Sequence, residues 1–380
     1  MAEGKRDKTA DLIALTTVPL IMVLGNSMLI PVLPKMKAAL DITPFQTSLT
    51  ITLFSLSAGL IIPLAGFLSD RISRKTVIIP SILLYGGGGL LAGIAAVWIN
   101  NPYPWIIAGR TLQGLGAAGT APIAMALLGD LFKGGAQSKA LGLSESANGM
   151  GKVISPIAGS LLGLIAWWAP LFAFPILCAI SAFMVWRMVQ EPKQKEPPPT
   201  LREYVHTLGS IFRREGRWLF SAFFAGASCL FVLFGILFYL SDWLETKYRI
   251  DGVLKGGILA IPLLCMVTAA YITGATIQKK GRLMKWLIVV GLIMLAISLV
   301  AEIFLQNRFW FIALVSLGAI GRGAVLPCLN SFITGAVRRA ERGMITSIYG
   351  SVRFLGVAVG PPVFSWLSGF SRTVMLASVA

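Results

Sequence analysis

Eleven stretches of the chain run apolar for about 20 residues or more, the length needed to cross a hydrocarbon layer of roughly 30 Å. They fall near 12–34, 45–68, 76–99, 104–128, 138–165, 166–187, 217–241, 253–277, 284–306, 308–334 and 342–369. A twelfth opens near Ser371, ten residues from the last one given. Backbone polar groups inside a bilayer must bond within their own segment, so such runs become helices. The expected fold class is an all-α integral membrane protein of twelve helices, the last one truncated. Charged residues make up 13% of the 380, against about 25% in soluble domains, which excludes disorder, a disulfide scaffold and a cytosolic enzyme. The first run is too long for the apolar region of a signal peptide and lacks a small-x-small cleavage site, so it reads as a spanning helix.

Lys and Arg number 33 against 16 Asp and Glu, a net charge of +17. No continuous basic stripe with interleaved aromatics accompanies this excess, so nucleic acid is not an expected partner. Cytoplasmic loops of membrane proteins collect Lys and Arg, and this accounts for the imbalance. With the N-terminus inside, 22 basic residues fall in cytoplasmic segments, seven in external ones and four within helices. The inner set includes Lys5, Arg6, Lys8, Arg71, Arg74, Lys75, Lys279, Lys280, Arg282, Lys285, Arg338, Arg339 and Arg342. All ten tryptophans lie near the ends of the runs, where interfacial belts form. The expected location is a cell membrane (inner or plasma), multi-pass, with a cytoplasmic N-terminus. Cys178, Cys229, Cys265 and Cys328 are isolated in apolar runs, and the single histidine, His206, lies in a polar segment. Neither a metal site nor a His-based catalytic centre is expected, and no Gly-x-x-x-x-Gly-Lys-Ser/Thr loop for ATP occurs.

A Pro-rich polar stretch from Gln190 to Thr200, followed by an amphipathic segment ending at Arg217, separates the sixth and seventh runs. It predicts an N-terminal six-helix bundle over 1–190, a cytoplasmic linker over 191–216 and a second bundle over 217–380. An internal repeat supports the division. Pro122 precedes Pro156 by the same spacing that separates Pro327 from Pro361, and the shared offset also superimposes Gly116 on Gly321 and Gly151 on Gly356. Gly66 maps onto Gly274 with a short insertion. Parallel six-helix repeats around a midplane site describe an alternating-access transporter.

The loop after the second run reads Gly66-Phe-Leu-Ser-Asp70-Arg71-Ile-Ser-Arg74-Lys75. It resembles the Gly-x-Leu-x-Asp-Arg-x-Gly-Arg-Lys signature of the major facilitator superfamily, with Ser73 where Gly is usual. A glycine lets two helices approach closely, and an aspartate suits the positive end of a helix. Asp130, closing the fourth run, is the natural mate of the basic residues. The resemblance implies that Gly66, Asp70, Arg71, Arg74, Lys75 and Asp130 form a latch that releases on inward opening. The second-half copy has Gln278 in place of the aspartate, so a weaker latch is expected there. Three further segments resemble the twelve-helix drug:proton antiporter branch: Arg110-Thr-Leu-Gln113-Gly114-Leu-Gly116, Pro31-Val-Leu-Pro34, and Gly151-x-x-x-Ser155-Pro156-x-x-Gly159-Ser160. The last, with Gly360 and Pro361 as its second-half counterpart, is expected to pack helices closely. By resemblance, the energy source is the proton gradient, with no cofactor, and Arg110 is a proton-coupling residue.

Arg110, Glu145, Lys152, Arg322 and Arg353 lie well inside the runs, each at a cost of roughly 2.5–3.5 kcal/mol at a bilayer centre. They should face a wet cavity or one another. Glu145, Asn148 and Lys152 share one helix face, and the repeat maps Asn148 onto Arg353, beside Tyr349. Asn26, midway along the first run, joins this set of candidate substrate-binding residues. Two readings of Glu145 stand: a protonatable coupling site, or a static partner of Lys152 about 10 Å away along the axis. Arg322 and Arg353 are open to a structural role or to substrate binding. Four embedded cations against one acid suit an anionic or zwitterionic amphiphile, such as an acidic antibiotic, a catecholate-like metabolite or a lipid headgroup. The expectation is a proton-coupled exporter of a small molecule, working as a monomer among membrane lipids and not an enzyme. A lipid flippase or an uptake permease on the same scaffold are the alternatives.

Overall fold

The computed structural model describes residues 8–133, 135–191, 201–277, 281–304, 307–336 and 342–380. Lys5, Arg6, Gln278, Lys279, Lys280, Arg338, Arg339 and the Pro-rich 192–200 lie outside these residues. The first span comprises α1 (Thr9–Ser27), a 3₁₀ turn (Ile30–Val32) and α2 (Leu33–Leu40). Pro31 and Pro34 lack the N–H that an unbroken helix needs, which is why the ladder resets there. Then α3 (Pro44–Arg71) starts at a capping box of Thr43 and Gln46, and α4 (Arg74–Trp98) at a Ser73 cap. The fourth span divides into α5 (Tyr103–Ala118) and α6 (Ala121–Leu131) just ahead of Pro122. Next come α7 (Gly135–Ile165), α8 (Ala169–Met188), α9 (Leu201–Tyr248), α10 (Gly252–Ile277), α11 (Gly281–Phe304), α12 (Arg308–Ala336), α13 (Arg342–Ser368) and the short α14 (Arg372–Val379).

Ten spans among the described residues are long and apolar enough to cross a membrane. The structure differs from the sequence expectation over 201–216, which forms the first turns of α9 instead of a solvated linker. The reason is amphipathicity. Tyr204 and Ile211 turn inward and are buried, and the Tyr204 ring meets Phe67 edge-on with centroids 5.2 Å apart.

Within each half, small residues bring helices to backbone contact at equivalent places. On α7, a Cβ added at Gly151 would lie 3.2 Å from the Leu20 carbonyl of α1. On α13, one at Gly356, its counterpart in the repeat, would lie 2.3 Å from the Ala227 carbonyl of α9. The repeat read from prolines and glycines is therefore a repeat of packing. The halves meet along two seams. In the α3–α13 seam, Thr52 Oγ1 donates to the Ala358 carbonyl (2.7 Å) and Ser351 Oγ to the Gly59 carbonyl (2.5 Å). In the α7–α10 seam, Gly256 lies against the Pro156 carbonyl and the Ser160 hydroxyl.

Candidate functional site: a cationic cavity between the halves

A cavity opens between the seams, about 660 Å³ counting the space open to solvent at its mouth. Most of its wall is apolar, with Phe54, Phe234 and Phe354 as the largest side chains. Five polar residues interrupt it: Asn26 and Ser27 of α1, Asn148 and Lys152 of α7, and Arg353 of α13. No acid lines it among the described residues. Neither Asn148 Oδ1 nor Arg353 Nε has a hydrogen-bond partner within the protein. Two cations and an open amide thus face an apolar chamber, an arrangement that can seat an anion by charge-assisted hydrogen bonds and its hydrocarbon or aromatic part by burial.

The other expected site residues stand around this chamber at different distances. Tyr349 is buried behind the wall, its ring 5.6 Å from Phe223 and 5.4 Å from the Arg353 guanidinium. Arg110 does not line the cavity. It is wholly buried, donating through Nε to the Thr50 carbonyl (2.8 Å), through Nη1 to the Gly25 carbonyl (3.2 Å) and Gln113 Oε1 (2.7 Å), and through Nη2 to Asn26 Oδ1 (3.4 Å). Its guanidinium also lies 4.4 Å from the Phe54 ring centroid. Arg110 thereby ties α1, α3 and α5 together and meets the chamber only through Asn26 and Phe54. Arg322 is buried in the second half and is not part of the wall. Glu145 is exposed, on the Lys152 face of α7 but outside the chamber.

At the end of the bundle that carries residues 71–75, the signature residues assemble as their chemistry requires. Arg74 bridges Asp70 (3.3 Å) and Asp130 (3.0 Å). Lys75 Nζ donates to the carbonyls of Trp186 and Val189, and Arg71 is exposed. A Cβ at Gly66 would lie 2.9 Å from Ser347 Oγ, so this glycine seats α3 against α13. Ser73, the departure from the signature, caps α4 and donates to Glu191 at 2.5 Å. The Glu191 carboxylate also accepts from the Arg74 and Lys75 backbone amides. Sequence reasoning missed Glu191 because a lone glutamate before a proline reads as linker. In the packing motif, Ser155 folds its hydroxyl back onto the Gly151 carbonyl, and Gly151 approaches the Leu20 carbonyl. Serine in place of glycine is thus accommodated without separating the helices.

The opposite end holds a second cluster that the sequence did not reveal, since its members are dispersed singly. Lys37 pairs with Asp242, and Lys35 reaches Asp251 at 2.7 Å, both across the two halves. Buried Lys255 pairs with Glu245 and with Asp251 (3.2 Å). Ser241 Oγ donates to the Ile30 carbonyl beside them (2.9 Å). Three of these contacts, Lys37–Asp242, Lys35–Asp251 and Ser241–Ile30, join the halves at that end. Lys37→Asp is expected to increase labelling, by an impermeant maleimide added at that end, of a cysteine placed at Ser27 in the cavity wall. Lys37→Asp combined with Asp242→Lys restores protection, because the pair is rebuilt with its charges exchanged.

Partial burial opposes ionisation of Asp251, but hydrogen bonds from Lys35 and the Gly252 amide, together with the Lys255 charge, outweigh it and hold the carboxyl below its ordinary value. A depressed carboxyl stabilises the closed end at every pH above its ordinary value, and that contribution disappears as pH falls through the depressed one. The same labelling is therefore expected to stay flat from about pH 7 to pH 5 and to rise only below about pH 4.

Two repeated six-helix halves around a chamber between them have the architecture of a secondary transporter. The chain belongs to the Major Facilitator Superfamily, whose family model matches residues 15–361. It is 47% identical over 360 residues to the Bacillibactin exporter of Bacillus subtilis (strain 168), spanning 94% of this chain and 89% of that protein. It is 28% identical over 367 residues to the Multidrug efflux protein YfmO of the same organism, spanning 94% and 85%. Among solved structures, a bacterial homolog of the human lysosomal transporter Spinster, in an inward-facing and unoccupied conformation, superimposes with a TM-score of 0.79. That match has 18% identity and covers 97% of this chain and 84% of the other, so it speaks to the fold.

Proposed function

We propose that this transporter exports a small anionic amphiphile by alternating access, in exchange for protons. The observation that carries the reading is the chamber between the seams, where Lys152 and Arg353 are the only charged residues in a mostly apolar wall, with no acid among its described residues. A cationic substrate would meet two like charges there, whereas an anion replaces lost hydration with two charge-assisted bonds. Export is favoured by the likeness to an exporter and an efflux protein. Bacillibactin is accordingly the first compound to test. The excess of basic residues at the 71–75 end supports a cytoplasmic placement of that end and of the N-terminus. The Lys35, Lys37, Asp242 and Asp251 cluster then forms the outer closure and the Arg74 cluster the inner latch. Glu145, exposed on the cavity-facing side of α7, is the candidate for proton exchange with the inner water, and Arg110 supports Asn26 and Phe54 from behind.

The test is transport by the purified protein in liposomes, with bacillibactin and a panel of anionic, zwitterionic and cationic amphiphiles, while proton movement is recorded. Anion-driven proton movement that is lost in Glu145→Gln supports the reading in full. Movement that survives in that variant removes Glu145 from coupling. Transport restricted to cationic compounds overturns the substrate class, and substrate transport without protons overturns the exchange.

A further inference from the structure

Glu302 lies two residues before the end of α11, is 1% exposed, and has no hydrogen-bond partner for either carboxyl oxygen. An ionised carboxylate withdrawn from water without donors is among the most costly groups a protein interior can hold, and neutralisation by a proton is the usual relief. The charged and titratable groups near it come from α12 and α14, which pack against α11, and from α9. From α12 comes Arg322, also 1% exposed, with Nε and Nη2 lacking hydrogen-bond partners. From α14 comes Arg372, which donates through Nη2 to the backbone carbonyl of Glu302 (3.0 Å) and rests its guanidinium 4.6 Å from the Phe311 ring and 5.5 Å from that of Trp243. From α9 comes Tyr239. Both guanidinium groups are near enough to attract a carboxylate, yet neither hydrogen-bonds to it in this conformation.

A carboxyl in that position can be accommodated in two ways. As a neutral acid it needs no partner. As a carboxylate it needs one of the arginines drawn into hydrogen-bond distance, by a change of side-chain rotamer or a shift of α11 against α12 or α14. We propose that Glu302 is a proton-binding site of the second half, separate from the substrate cavity, occupied in this conformation and emptied when a guanidinium closes onto the carboxylate. On release, the O–H bond breaks, its electron pair stays on the carboxylate, and the proton passes to water at the nearby helix end. The site adds a second coupling group to the exchange proposed above and rests on that reading for its role in transport, though not for its occupancy.

Two measurements separate these parts. Infrared difference spectra of the full chain in nanodiscs, between neutral and alkaline pH, read protonated carboxyls directly by their acid C=O band. The expected result is a band in the wild type that is missing in Glu302→Gln. A band of unchanged size in that variant overturns the site. Where Glu302→Gln fails to fold, Glu302→Asp replaces it: a displaced band supports the assignment, and a band at the wild-type position overturns it. The second measurement is bacillibactin-driven proton movement in liposomes. Glu302→Gln is expected to exchange labelled for unlabelled bacillibactin at near wild-type rate while net proton movement falls. Unchanged proton movement overturns the coupling role. If the wild type moves bacillibactin without protons, the proton-exchange reading fails, and the infrared band still decides whether Glu302 holds a proton.

Discussion

Replacing Lys152 and Arg353 with alanine is expected to weaken binding of the proposed anionic substrate by roughly 10- to 100-fold for each residue, from the 1.5–3 kcal/mol typical of a hydrogen bond to a charged group. Both side chains line the same chamber, from α7 of one half and α13 of the other. An anion held between them joins the halves, so the two losses should not simply add. The double variant is expected to fall short of the product of the single effects once the anion no longer bridges. Removing either cation from this wall leaves no opposite charge stranded among the residues that line it, so the fold should survive. Direct binding to detergent-purified protein, measured by tryptophan quenching with an anionic amphiphile and with its neutral analogue, checks this. Equal affinity for the anion in wild type and folded variants would remove the cationic chamber as the basis of recognition.

Gly159→Leu is expected to abolish a stable fold. A single added carbon would lie 2.0 Å from the Met28 carbonyl, and the neighbour is backbone, which has no rotamer to yield. Ordinary overpacking costs about 1–3 kcal/mol, and here α1 must also move off α7. That displacement reaches Asn26, and through it the Arg110 network. Gly142→Leu on the same helix is the matched control, because nothing lies within 4 Å of a Cβ there. Size-exclusion profiles and thermal unfolding in detergent should show aggregation or a strongly lowered midpoint for the first variant and near wild-type behaviour for the second.

Much of this molecule was legible in linear form because a bilayer imposes local rules. Apolar length decides where a helix spans, and the positions of Pro31, Pro34 and Pro122 coincide with the interruptions in the first and fourth spans. The signature around Asp70 and Arg74 is compact, so its ion pairs follow from residues a turn apart, with Asp130 supplied by the adjoining helix. The face shared by Asn148 and Lys152 is also local, being set by helical periodicity. Glu145 shares that periodicity but stands outside the chamber, since periodicity gives an angle around an axis and not a depth along a cavity.

What the sequence by itself determined is the number and position of most helices, the duplication, and the chemical identity of the few ions committed to an apolar solvent. Tertiary structure alone decided which of those ions meet. Arg110 and Arg322 are both embedded cations, yet Arg110 is satisfied by three carbonyl groups and Asn26 while Arg322 retains unpartnered nitrogens. Lys37 finds Asp242 only because the ends of the first and seventh spans are brought together between the halves. Glu302, which looks like an ordinary helix-end acid in the sequence, is enclosed by α9, α12 and α14 and loses its water. Burial is a property of what surrounds a residue, and for charges in a membrane the surroundings come from helices distant along the chain.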